Sequence, residues 1–194
     1  MRIILLFCTL LLSFNVKAWN LDRVGTIEAK TWNDFMDGFT TNEIYISAGS
    51  DGETSNVRLS FDIGFERYPV TYVFDGLDSD GIRGLDELRS YLDKSIEWTK
   101  VAKDNSAETQ KTIGSSCGTY STSCKATFFS SNNANQTDLI LEIKEDADFT
   151  FNEGTFYIEP EEVKKMRRFL SVEHLRMILE RSKKKNSQAE DLFN

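Results

Sequence analysis

Val57-Arg58-Leu59-Ser60-Phe61-Asp62-Ile63-Gly64-Phe65 alternates apolar and polar residues. A period of two puts Val57, Leu59, Phe61, Ile63 and Phe65 on one face, as in a strand with one dry and one wet side. A second run of the same kind, Leu139-Ile140-Leu141-Glu142-Ile143, lies in the other half of the chain. Similar elements surround both runs. Upstream of the first, residues 26–32 and 42–48 read as strands, and Gly49-Ser50-Asp51-Gly52 supplies turn chemistry. Downstream, Pro69 breaks the run and residues 70–74 form a further strand. A helix over about 85–103 then carries Leu85, Leu88, Leu92, Ile96 and Thr99 at helical spacing.

The second half repeats this order. Residues 110–114, 125–130, 139–143 and 155–158 read as strands, with Asn132-Asn133-Ala134-Asn135 as a turn-prone tip. Pro160 suits a helix start, and Val163, Met166, Phe169 and Leu170 follow at helical spacing. Ser171 interrupts or re-caps that helix, and Val172, Leu175, Ile178 and Leu179 continue in a new phase. The expected fold is α+β: antiparallel sheets with two helices, each closing its half, in a duplicated unit of about four strands and one helix. The expected organisation is a leader at 1–18, one domain at 19–185 with pseudo-repeats at about 24–104 and 108–185, and a polar tail at 186–194. In element order this layout resembles the Whirly and Pur-type single-strand nucleic-acid binders, which repeat four strands and a helix. The resemblance implies an architecture.

Arg2, the apolar run from Ile3 to Leu12 and the small residues around Ala18 have the three-part layout of a secretory signal peptide. The expected cut falls between Ala18 and Trp19, leaving the chain periplasmic or secreted, with no later segment apolar enough to span a bilayer. That cut removes Arg2 and Lys17 and no acid. Of 23 basic and 31 acidic residues it leaves 21 and 31, a net charge of −10. Such a charge argues against binding a phosphate backbone, despite the layout. The segment 160–185 is the exception, with nine Lys or Arg against four Glu. Lys164, Lys165, Arg167 and Arg168 could dock on a partner or on a membrane surface, or pair with the body's own carboxylates.

Cys8 leaves with the leader, and Cys117 and Cys124 remain. An even count in an exported chain predicts a disulfide between them. The stretch 75–87 places Asp75, Asp78 and Asp80 before Gly81 and Glu87 after it, an incomplete match to an EF-hand loop. It predicts a weak calcium site or, more plainly, an acidic turn before a helix. No other cofactor is indicated. His174 is the single histidine, placed in a basic helix, and no nucleophile–base motif accompanies it. Trp19, Trp32 and Phe35, with Phe39 close by, form an aromatic cluster that either folds onto the core or presents a partner-binding surface. Burial is the commoner fate of such residues. These readings converge on a soluble, non-catalytic exported protein that binds another macromolecule, of inhibitor, immunity or assembly-accessory type. A carboxylate-dependent hydrolase acting on carbohydrate, and an envelope-surface protein docked by its basic helix, are the alternatives.

Overall fold

The computed structural model describes residues 21–50, 54–63, 66–76, 79–145 and 153–193. Residues 1–18, read as a leader, and Trp19, Asp51, Gly52, Gly64, Phe65 and Asp78 lie outside the described residues. Four strands, β1 (Asp22–Asn33), β2 (Gly38–Ser50), β3 (Ser55–Ile63) and β4 (Glu66–Asp75), form an antiparallel meander and lead into helix α1 (Ser79–Asn105). A second meander follows: β5 (Thr109–Gly114), β6 (Thr122–Ser130), β7 (Thr137–Glu145) and β8 (Glu153–Ile158). Helices α2 (Pro160–Phe169) and α3 (Val172–Phe193) close the chain.

The fold is α+β, with one continuous sheet in the order β4-β3-β2-β1-β8-β7-β6-β5. Three helices stand where two were expected, because Ser171 re-caps as well as interrupts: its Oγ accepts the His174 N–H at 3.3 Å, and its carbonyl accepts the Leu175 N–H at 3.0 Å. Pro69 does not end a strand but lies inside β4, paired with Ser60. β4 is an edge of the sheet, where a missing N–H is tolerated. The polar stretch from 186 to 193, set apart by composition, continues α3.

The period-two runs fall in register. Ile44 lies opposite Phe61, Ile46 opposite Leu59, and Leu59 in turn opposite Val70. In the second half Leu139 and Leu141 face Ile158 and Phe156 on one side and Phe128 and Ala126 on the other. All are buried. The rings of Phe61 and Phe156 meet at 4.7 Å between centroids, joining the two meanders beneath the helices.

Among the described residues the helices pack on one face of the sheet. α1 packs on β4 at one edge and on β5, β6 and β7 toward the other. Its 27 residues span about 40 Å at 1.5 Å each. Seven interstrand spacings come to about 34 Å, so one helix suffices to carry the chain from edge to edge. α2 lies over β1 and β7, and α3 over β2 and β1.

Cys117 and Cys124 are bonded, their Cα atoms 5.0 Å apart. The loop they close is seated under α1. The buried Tyr72 hydroxyl donates to the Cys117 carbonyl at 2.8 Å, and the Tyr91 hydroxyl accepts the Ser116 N–H at 3.1 Å. Burial raises the Tyr72 pKa, so it stays a donor. Gly84 is required here: a Cβ at 84 would overlap the carbonyl oxygen of Gly118. Gly84→Ala should therefore lower stability by about 1–3 kcal/mol in urea unfolding, although alanine is the better helix former. Reducing the disulfide should lower it by about 2–3 kcal/mol in the same assay.

Candidate functional site

The β1–β2 hairpin ends in Asn33-Asp34-Phe35-Met36-Asp37-Gly38. Asn33 closes the turn twice. Its Oδ1 accepts the Met36 N–H at 3.0 Å, and its carbonyl accepts the same N–H at 3.2 Å. Asp37 takes a left-handed φ of 47° before Gly38, a conformation that Asp tolerates better than most residues. Below the turn Thr31 and Thr40 hydroxyls lie 3.3 Å apart, and the Asn42 side-chain amide donates to Thr31 Oγ1 at 2.6 Å.

This stiff turn holds its apolar residues outward. Phe35 is 99% exposed, Met36 67%, Phe39 52% and Trp32 48%. Burial, the commoner fate of such aromatics, does not occur for Trp32, Phe35 or Phe39. Trp32 and Phe39 are a register pair on the sheet face opposite the helices, and Phe35 sits at the apex of a closed turn. Trp32 meets Phe39 edge to face at 5.2 Å, and Phe39 meets Tyr157 of β8 at 5.0 Å. Tyr157 belongs to this ladder, and only the tertiary fold brings it there. Asp34 and Asp37 are exposed on either side of Phe35 and Met36.

The other sequence candidates are dispersed. Asp80 and Glu87 stand on α1, with Asp80 in its first turn and bridged to Arg83 at 3.1 Å, while Asp75 ends β4. The chain is helical from Ser79, where an EF-hand would need a loop. Among the described residues no group of three or more His, Cys, Asp or Glu is placed to hold a metal ion.

Of the basic residues of α2, two pair within the helix itself and one reaches α1. Lys164 pairs with Glu161 at 2.7 Å, Lys165 with Glu162 at 3.2 Å, and Arg167 with Asp93 of α1 at 2.8 Å. The Arg168 guanidinium lies over the Phe169 ring. From α3, Lys185 reaches Asp22 at 3.0 Å. His174 is partly buried beside Phe169, the rings 6.0 Å apart.

Two open grooves carry carboxylates of the kind a hydrolase would need. One of about 570 Å³ includes Trp32, Lys125, Glu142 and Thr155. Its Glu142 is held by Lys125 at 2.8 Å. The other, about 480 Å³, lies between Asp80, Arg83 and Glu87 of α1 and the cystine loop with Tyr120. The carboxyl whose pKa is raised, Asp138, lines neither groove. Burial is the main cause, partly offset by the Gln136 amide donating to Oδ2 at 2.6 Å. No protein-family model matches the chain, and neither does a curated protein sequence or a solved structure. No helix among the described residues is long and apolar enough to cross a membrane.

Asp138 yields a pH prediction. Its folded-state pKa lies above its unfolded value, so the folded chain holds more protons between the two. Its contribution is then fully present below about pH 4 and is lost as pH rises through the folded value. Asp138→Asn should raise stability at pH 7 more than at pH 4, measured as the shift in urea midpoint at each pH.

Proposed function

We propose that this is an exported, non-catalytic protein that docks on another protein through the tip of its β1–β2 hairpin. The exposure of Phe35 and Met36 on a turn that holds them outward carries this reading. Burying one such side chain is worth about 1.5–3 kcal/mol, so a rigid turn that keeps two of them in water forgoes folding energy that a partner can recover. The Trp32–Phe39–Tyr157 ladder extends the same surface down the open sheet face. Large aromatics with small rotamer entropy are the usual anchors of protein interfaces. Inhibitor, immunity and assembly-accessory roles all use such a protruding element.

Export is supported by the leader-like residues 1–18 and by a disulfide that suits an oxidising compartment. The two meanders, each followed by helix, support an origin by duplication of one unit. The net charge speaks against nucleic acid. The alternatives draw less support. For the hydrolase, Glu142 in one groove is held by Lys125 and Asp80 in the other by Arg83, and the basic helix spends Lys164, Lys165 and Arg167 on internal ion pairs.

Phe35→Asp and Met36→Asp should leave unfolding free energy within about 0.5 kcal/mol of the parent, because both sites are exposed. Cross-linking in the native exported fraction, followed by mass spectrometry, should recover a specific partner with the parent chain and at least about tenfold less with either variant. Equal recovery by parent and variants would refute the docking role of the tip.

A further inference from the structure

The two ends of the β1–β2 hairpin carry opposite chemistry. At one end Asp34 and Asp37 flank Phe35 and Met36, and neither acid has an ion pair among the described residues. At the other end lies α3. Its first turn follows Phe169, whose ring lies over Gly25, eight positions along β1 from Asn33. At about 3.4 Å per residue that is roughly 27 Å from the tip. Lys185 further along α3 pairs with Asp22, at the very start of β1.

The solvent face of α3 bears Val172 and Met177 as its partly exposed apolar residues. Around them stand Arg176, Arg181, Lys183 and Lys184, all exposed. None of the four makes an ion pair among the described residues; Arg181 contacts only the Met177 sulfur, at 3.6 Å. Glu173 and Glu180 share this face, leaving it net positive.

We infer that the hairpin tip docks on α3 of a second copy of this chain. Phe35 and Met36 would cover Val172 and Met177, and Asp34 and Asp37 would face Arg176 and Arg181. The inference rests on reading the tip as a docking element and names its occupant. Charge complementarity selects that occupant: the acids beside the apolar knob would be repelled by an anionic membrane, and the chain itself carries a basic helix with apolar gaps. Because the two surfaces differ, the contact either repeats head to tail into a ring or a filament or is made twice across a two-fold axis that sets the hairpins antiparallel.

Sedimentation of the purified protein tests this, over about 1 µM to 1 mM at low salt, the range in which modest interfaces are populated. The average mass should climb above one copy with concentration and fall back in high salt. Phe35→Asp should weaken association by about tenfold or more. The double variant Asp34→Lys with Asp37→Lys should be monomeric alone, as should Arg176→Glu with Arg181→Glu. Mixing those two variants should restore association, since each then offers the other an opposite charge. Circular dichroism on each variant separates lost association from lost folding. A monomer throughout the range, or association indifferent to both charge reversals, would overturn the inference. Should the chain stay monomeric while Phe35→Asp still abolishes cross-linking to a different protein, the second copy is excluded and the docking role of the tip stands.

Discussion

Two four-stranded meanders share one sheet through a narrow seam, and the rest of the molecule depends on how that seam is held. β1 and β8 join through a single register pair, Lys30 with Tyr157. Beyond it the strand ladder gives way to side chains. Lys30 bonds Glu159, which raises the Lys30 pKa. The Glu28 N–H, which a longer β8 would have paired, donates to the Glu162 carboxylate at 2.9 Å. A backbone donor left unpaired in a partly buried sheet is costly, so the first turn of α2 substitutes for missing strand. The helix layer supplies the remaining strength. α1 reaches both sheet edges, and α2 sits over β1 and β7, on either side of the seam.

The helices are themselves tied together at few points. Arg89 of α1 donates from Nε to the Leu170 carbonyl at 2.6 Å and from Nη1 to Asp86 at 2.7 Å. A cation on the last carbonyls of α2 satisfies an acceptor that the helix leaves open and suits its dipole. The break at Ser171 then turns α3 across β1 and β2. At the opposite side the cystine loop fits beneath α1 through Tyr72, Tyr91 and Gly84. With the helices on one face, Trp32 and Phe39 on the other face and Phe35 at the hairpin tip are where aromatic side chains meet water.

Much of the architecture was legible because strand pairing and helix packing impose short periods on the sequence. The alternation through Val57, Leu59 and Phe61 and in 139–143, the stripe from Leu85 to Thr99, Pro160 at a helix start and the Cys117–Cys124 pair all found their places. Errors fell where a local rule met a tertiary exception. Pro69 breaks a central strand but not an edge strand. The glycines at 81 and 84 hid the first turns of α1, because a helix rich in glycine looks like a loop until the cystine loop that requires Gly84 is beside it. The candidate site was half legible. Trp32 and Phe35 stood out by type, and Asn33-Asp34 with Asp37-Gly38 is turn chemistry that marks a hairpin apex. Tyr157 gave no signal, because its nearness to Phe39 exists only once β8 lies beside β1.

The sequence by itself determined the α+β class, the order of elements and the disulfide pair, since each follows from neighbours within one strand, one helix or one short loop. Tertiary structure decided that the two meanders form a single sheet, that β1 rather than β4, the other edge of the first meander, receives β8, and that the aromatic cluster faces water. Those outcomes depend on which faces are covered by helices distant in the chain, and no local spacing of residues encodes that.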